Sequence, residues 1–170
     1  FTTIVAFINM FLVMAVAKRL GAKSGAALLS GLIFLFATNA FAYALTLTQH
    51  HLSITVLLLS FLIVTGRLGV IQAFAFGALV GIGALLDIPN PMLLAPLGIY
   101  YALRHISLIR QSESGKLKLA FNLRIIAVLI GILPFIAFFG WYNHQTTGSY
   151  TLIGQNIGRS NYFDSAEKQR

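Results

Sequence analysis

Few side chains in this sequence could do chemistry, and those that could are widely spaced. His50 and His51 are adjacent, Asp87 stands alone in an apolar stretch, and Asn143 and Arg159 lie toward the carboxyl end. Imidazoles can exchange protons or contact phosphate, and the guanidinium fork of arginine matches phosphate or carboxylate oxygens. These five residues form the candidate substrate-binding set, and none of them can be assigned as the catalytic residue.

Each candidate also has a purely structural interpretation. On a helix, the rings of His50 and His51 diverge by about 100°, so the pair cannot share one metal ion, and placement at a membrane boundary explains both. Asp87 could be a solvated carboxylate that accepts backbone N–H groups, or one half of an ion pair. Asn143 lies two residues after Trp141, at the end of the sixth apolar segment, where aromatic side chains commonly anchor a helix at the membrane interface. Arg159 could bind a lipid head group.

Several familiar site types are missing from the sequence. The chain has no cysteine, which excludes disulfides and thiolate metal sites. It also has no glycine-rich nucleotide loop, no metalloprotease helix and no serine elbow. We therefore expect no metal site and no cofactor: a divalent metal ion is compatible with the sequence, but no group of residues in this chain supports one.

The composition is typical of an integral membrane protein. Of 170 residues, 58% are hydrophobic and only 9% are charged, whereas a soluble domain carries about 25% charged residues. The sequence therefore predicts an all-α, polytopic bundle of transmembrane helices. A net charge of +8 would suggest nucleic acid for a soluble protein, but we expect membrane lipids and no nucleic acid as partners because the cations cluster between apolar segments.

Six apolar segments are long enough to be membrane spans, since a span needs about 20 residues and flanking polar groups absorb small shortfalls. The predicted spans are residues 1–17, 24–42, 49–65, 68–87, 92–109 and 121–142. Prolines at 89 and 91 predict that the fourth segment stops near Asp87 and that the next helix begins after Pro91. Small residues at every fourth position from Gly69 to Gly81 predict close packing by a neighbouring helix.

The basic residues predict the orientation of these spans. Nine of the twelve Lys and Arg residues lie in alternate connections, which the positive-inside rule places in the cytoplasm. The chain is thus predicted to be a multi-pass protein of the plasma (inner) membrane. Residues 1–142 form the transmembrane domain in this interpretation, and residues 143–170 form a polar extracytoplasmic segment. All five candidate residues then lie on the outer side.

The order of motifs resembles the middle of a GT-C type glycosyltransferase, of the protein O-mannosyltransferase and aminoarabinose transferase kind. A helix ends in basic residues and a small-residue turn, an outer turn with a polar pair precedes an apolar helix, and a glycine-rich helix ends near prolines. A proline-containing helix that ends in an aromatic residue, Asn and Gly-Ser follows. The stretches that carry the resemblance are residues 17–23, 46–59, 77–96 and 134–149.

The resemblance implies an inverting transfer of a sugar from a polyprenyl-phosphate carrier to an acceptor at the extracytoplasmic face. In that family an acid of the first outer loop serves as catalytic base or metal ligand, and here it would lie upstream of Phe1. Because the chain opens without Met, we expect it to be part of a longer protein. Residues near His51, Asp87 and Arg159 would contact the carrier phosphate or the acceptor.

Two other functions remain open at this point. The small-residue stripe and the missing acid also suit a non-catalytic structural subunit of a larger integral-membrane complex, whose partners would be other membrane subunits. A secondary transporter would show inverted repeats and charged residues at mid-membrane, and neither is visible in the sequence.

Overall fold

The computed structural model describes residues 1–46, 48–67, 69–87, 89–109 and 123–150, with side chains of the sixth helix described as far as Arg104. These residues form helices and no strands, so the predicted all-α class is confirmed for this part of the chain. The helices are α1 (Thr2–Arg19), α2 (Ser24–Phe36), α3 (Ala40–Ala44), α4 (His50–Val64), α5 (Val70–Leu86), α6 (Asn90–Ile109) and α7 (Leu123–Thr147).

Helix length distinguishes the predicted spans from one another. Within the described ranges, two helices, α1 and α7, are long and apolar enough to cross a membrane. Helices α2, α4 and α5 are apolar but have 13, 15 and 17 residues, which is short of the roughly 20 needed to cross the hydrocarbon layer unaided. The count of six spans therefore stays a prediction.

The second predicted span, residues 24–42, is not one continuous helix. Helix α2 ends at Phe36, and the five-residue helix α3 begins at Ala40. The Thr38 hydroxyl lies at this break, where it donates to Phe34 O at 2.6 Å and accepts the Ala40 N–H at 3.1 Å. Threonine side chains that bond to nearby backbone in this way compete with the helical hydrogen bonds.

The predicted break at Asp87 is confirmed. Helix α5 ends at Leu86, and Asp87 is extended, with φ −161° and ψ 138°. Helix α6 begins at Asn90, two residues before the predicted start at residue 92, because proline is tolerated in the first turn of a helix, where its missing N–H has no partner to lose.

The chain divides into two compact units, residues 1–132 and 133–170. The first unit holds α1 to α6 and the start of α7. Its centre is α4, where every residue from His51 to Val64 is at least partly buried. The second unit holds the rest of α7, which continues through Pro134, and there the His144 ring stacks on Tyr150 with centroids 4.5 Å apart.

The helices of the first unit present two different ends. At one end the hydroxyls of Thr2 and Thr3 donate to Ala44 O at 3.1 and 2.9 Å, so the start of α1 meets the end of α3. At the other end Arg104 Nη1 donates to Val64 O and Gly66 O, both at 3.0 Å. We call these the polar end and the basic end. The connection between α5 and α6 belongs to the polar end because Asn90 bonds to α4 there.

Glycines allow close contact in two helix pairs, α1 with α2 and α5 with α7. A Cβ atom on Gly31 would lie 2.6 Å from Met14 Cγ, so α1 and α2 pack too tightly for a larger residue. A Cβ on Gly77 would overlap the backbone of Val128 in α7. The predicted close approach along the small-residue stripe is thus confirmed at Gly77.

Candidate functional site

A buried polar network joins α1, α3 and α4 at the polar end. Asn9 and His51 are 0% and 1% exposed. The amide Nδ2 of Asn9 donates to His51 O at 2.8 Å and lies 3.4 Å from His51 Nδ1. The hydroxyl of Thr55 lies 2.7 Å from Asn9 Oδ1 and 2.8 Å from His51 O. Each polar atom of Asn9 therefore has a partner.

The His51 ring is engaged on both nitrogens. Its Nε2 lies 2.9 Å from Ala40 O, and because a carbonyl oxygen only accepts, Nε2 must carry the hydrogen. In the neutral ring Nδ1 is then an acceptor, which suits the Asn9 amide facing it. His51 thus ties α3 to α4 and leaves no ring nitrogen for a ligand in this arrangement.

A second polar contact joins α4, α5 and α6 next to the first. Asn90 is 4% exposed. Its Nδ2 donates to Ser53 Oγ at 2.9 Å and to Gly83 O at 3.0 Å. Since Ser53 lies two residues after His51, the first turns of α4 join both networks.

The other predicted site residues are placed differently from His51. His50 is exposed and packs on Tyr43, with ring centroids 4.8 Å apart. Asp87 is half-buried at the end of α5, and its carbonyl oxygen accepts the Asn90 N–H at 3.1 Å. His50 and Asp87 therefore keep side chains that a ligand could reach, at two connections of the polar end.

Asn143 and Arg159 are not brought to this end by any described contact. Asn143 lies in the second unit and is 3% exposed, and its side-chain nitrogen has no hydrogen-bond partner among the described residues. Its carbonyl oxygen accepts the Thr147 hydroxyl at 2.8 Å. Arg159 lies outside the described residues. Their roles as substrate ligands stay predictions.

An apolar groove runs along one face of α6 within the first unit. Its volume is about 220 Å³. Five of its residues, Pro91 to Tyr101, recur at helical spacing, so the groove follows α6 for about 15 Å. It begins directly after the Asp87 connection. The lining residues are Phe76, Val80, Pro91, Leu94, Ala95, Gly98, Tyr101, Val128 and Ile132.

Metal-ligating side chains do not converge in the part of the chain that the structure describes. No three His, Asp or Glu side chains come together there. Asp87 is also the sole acid within those ranges. At the polar end, the groups that can contact a ligand are therefore the imidazole of His50 and the carboxylate of Asp87, and the apolar groove lies next to them.

Sequence reasoning missed three members of the buried networks, Asn9, Ser53 and Thr55. The sequence did carry a signal for Asn9, namely an amide side chain within an apolar segment. Burying an amide there costs free energy unless it is hydrogen-bonded, so its presence indicates an internal hydrogen bond. Ser53 and Thr55 gave no such signal, since single hydroxyls are common in apolar helices and can bond to their own backbone.

Comparisons with protein-family models, with curated proteins and with solved structures each found no match.

Proposed function

We propose that this chain is the multi-pass membrane domain of a transferase that takes a sugar from a polyprenyl-phosphate carrier. The polar end would face the extracytoplasmic side of the plasma (inner) membrane. The observation that carries the proposal is the apolar groove that begins at Pro91, beside Asp87. An isoprenoid chain is apolar and flexible, and a groove about 15 Å long along a helix would bury several of its units.

The position of the groove supports the proposed placement of the carrier. With the isoprenoid chain against α6, the phosphate and sugar would lie near the Asp87 connection. His50 and Asp87 would then contact the head group or the acceptor. His51 would act as a positioning residue, because its ring nitrogens already bond to Asn9 and Ala40.

The surface of the first unit supports membrane insertion. Large apolar side chains face outward on several helices, among them Phe11 at 60%, Leu29 at 57% and Ile71 at 78% exposure. Exposing such a surface to water is unfavourable, whereas contact between this surface and lipid tails is not. The cations gather at one end, as the positive-inside rule expects for cytoplasmic connections.

Cysteine labelling tests the orientation. The chain has no cysteine, so His50→Cys and Arg67→Cys each introduce a single exposed thiol at opposite ends of α4. In intact cells a membrane-impermeant maleimide should modify position 50, and it should modify position 67 only after permeabilisation. Labelling of both positions from the same side would refute the six-span arrangement.

Filling the groove tests the carrier site. A Cβ on Gly98 would meet no atom within 4 Å, so Gly98→Phe should fold and place its ring in the groove. We expect the KM for the polyprenyl-phosphate sugar to rise roughly tenfold in the complete protein, from the loss of two buried CH2 contacts at about 0.8 kcal/mol each. Ile99→Phe, on the exposed neighbouring face, is the matched control. Equal KM values would remove the groove from the carrier site.

A structural subunit is the second candidate function. It is favoured by one specific observation: two of the most buried polar residues at the polar end, His51 and Asn90, bond inside the protein. Sugar transfer that is unchanged in both His50→Ala and Asp87→Asn, together with a stoichiometric membrane partner after cross-linking, would favour this function. A large loss of transfer in either variant, with normal folding, would favour the transferase.

A further inference from the structure

Four exposed cations meet at the basic end of the first unit. Lys18 and Arg19 end α1, Lys23 precedes α2, and Arg67 follows α4. The two connections are adjacent, because a Cβ on Gly66 would lie 3.5 Å from Arg19 Nη2. We call Lys18, Arg19, Lys23 and Arg67 the basic patch.

The turn between α1 and α2 holds three of these cations close together. Gly21 has a φ of +95°, which other residues rarely adopt. Its N–H donates to Lys18 O at 3.0 Å, and the Ala22 N–H donates to Ala17 O at 3.0 Å, which closes the end of α1. The tight turn reverses the chain so that Lys23, the residue before α2, lies beside the end of α1.

The start of α2 adds to the positive potential. No side chain caps its first turn, and a Cβ on Gly25 would meet no atom within 4 Å, so this helix end is open to solvent or head groups. The free N–H groups and the positive end of the helix dipole favour an anion there.

No carboxylate among the described residues neutralises the patch. The one acid in those ranges, Asp87, ends α5 at the polar end. Next to the patch, α2 exposes an apolar face that includes Leu28, Leu29 and Leu32 at 48%, 57% and 38%. Cations beside an outward apolar face match a phosphate head group that carries acyl chains, and a free anion would not use that face.

We propose that the basic patch binds the head group of an anionic phospholipid, whose acyl chains lie along the exposed face of α2. This inference rests on the membrane placement proposed above. The cations supply attraction, and the apolar face of α2 distinguishes a phospholipid from free phosphate. Each cation near an anionic membrane surface is worth about a fivefold change in affinity.

Lipid titration tests the proposal. The complete protein in detergent is titrated with phosphatidylglycerol or with phosphatidylcholine, and bound lipid is counted by native mass spectrometry. We expect the parent protein to bind phosphatidylglycerol at least tenfold more tightly than phosphatidylcholine. Lys23→Gln should bind phosphatidylglycerol about fivefold more weakly than the parent protein does. The quadruple variant, in which Lys18, Arg19, Lys23 and Arg67 are all replaced by Gln, should bind the two lipids equally. Lys168→Gln with Arg170→Gln removes two cations from the segment that the sequence analysis predicts to be extracytoplasmic, and it should leave the preference unchanged.

Equal lipid preference in the parent chain, in Lys23→Gln and in the quadruple variant would overturn the proposal. Should the quadruple variant fail to fold, the single variants Lys23→Gln and Arg67→Gln decide. Displacement of bound phosphatidylglycerol by inorganic phosphate alone would also overturn it, because the site would then be one for a free anion. These outcomes are distinct from same-side labelling of positions 50 and 67, which would refute the membrane placement itself.

Discussion

The two ends of the first unit use polar residues in opposite ways. At the polar end, Asn9, His51 and Asn90 turn inward and bond to backbone carbonyl oxygens, and the Asn9 amide also faces the His51 ring. At the basic end, Lys18 and Lys23 are exposed. The ring nitrogens of His51 thus bond within the protein, and its role in substrate binding stays a prediction. The two lysines, which the sequence analysis used to predict orientation, remain accessible to a ligand.

The difference follows from the cost of burial. A buried amide or imidazole must be hydrogen-bonded, so burial at the junction of α1, α3 and α4 fixes the partners of Asn9 and His51. A charged side chain costs far more to bury and stays at the surface unless it is paired. Arg104 lies between these cases, since its guanidinium is partly buried and donates to the end of α4.

The largest expected effect is on the stability of the polar end. His51→Ala would leave Ala40 O without its donor and open a space between α1 and α4, so we expect a loss of about 3 kcal/mol in the free energy of unfolding. SDS titration in mixed micelles would measure it. His50→Ala is the matched control, because its ring is exposed, and it should change stability little. Equal losses in the two variants would mean that the network does not hold the helices together.

A smaller loss is expected where an arginine caps α4 at the basic end. Arg104→Met keeps most of the side-chain volume but removes the donor to Val64 O and Gly66 O, and we expect a loss of about 1–2 kcal/mol. The same titration applies. Arg67→Met removes an exposed cation of the same charge and should have almost no effect, so similar losses in both would show that net charge, not the cap, stabilises this end.

The smallest effect on stability is expected at the basic patch. Lys23→Gln should have the same unfolding midpoint as the parent protein within experimental error, because exposed charges contribute little to stability. The same variant should bind phosphatidylglycerol about fivefold more weakly, as described above. A marked destabilisation of Lys23→Gln in lipid-free detergent would show that the lysine is structural and would remove the contrast between the two ends.

The amino-acid sequence by itself determined the helical class, the apolar character and the position of the main interruption. The break at Asp87 was predictable because a proline lacks the backbone N–H and crowds the preceding turn, which disfavours one continuous helix across residues 89 and 91. Close packing at Gly77 was predictable from the spacing of small residues. The break after Phe36 was not predicted, because residues 24–42 read as one apolar run and the hydrogen bonds of Thr38 at the break are not evident from that pattern.

Tertiary structure alone decided what each polar side chain does. His50 and His51 are neighbours of the same type, yet one is exposed against Tyr43 and the other is bonded between three helices. Local pattern cannot separate them, because helix rotation and the arrival of Asn9 and Ala40 from distant parts of the chain fix which ring is buried. The groove along α6 has the same origin, since it forms only where α5 and the start of α7 flank that face.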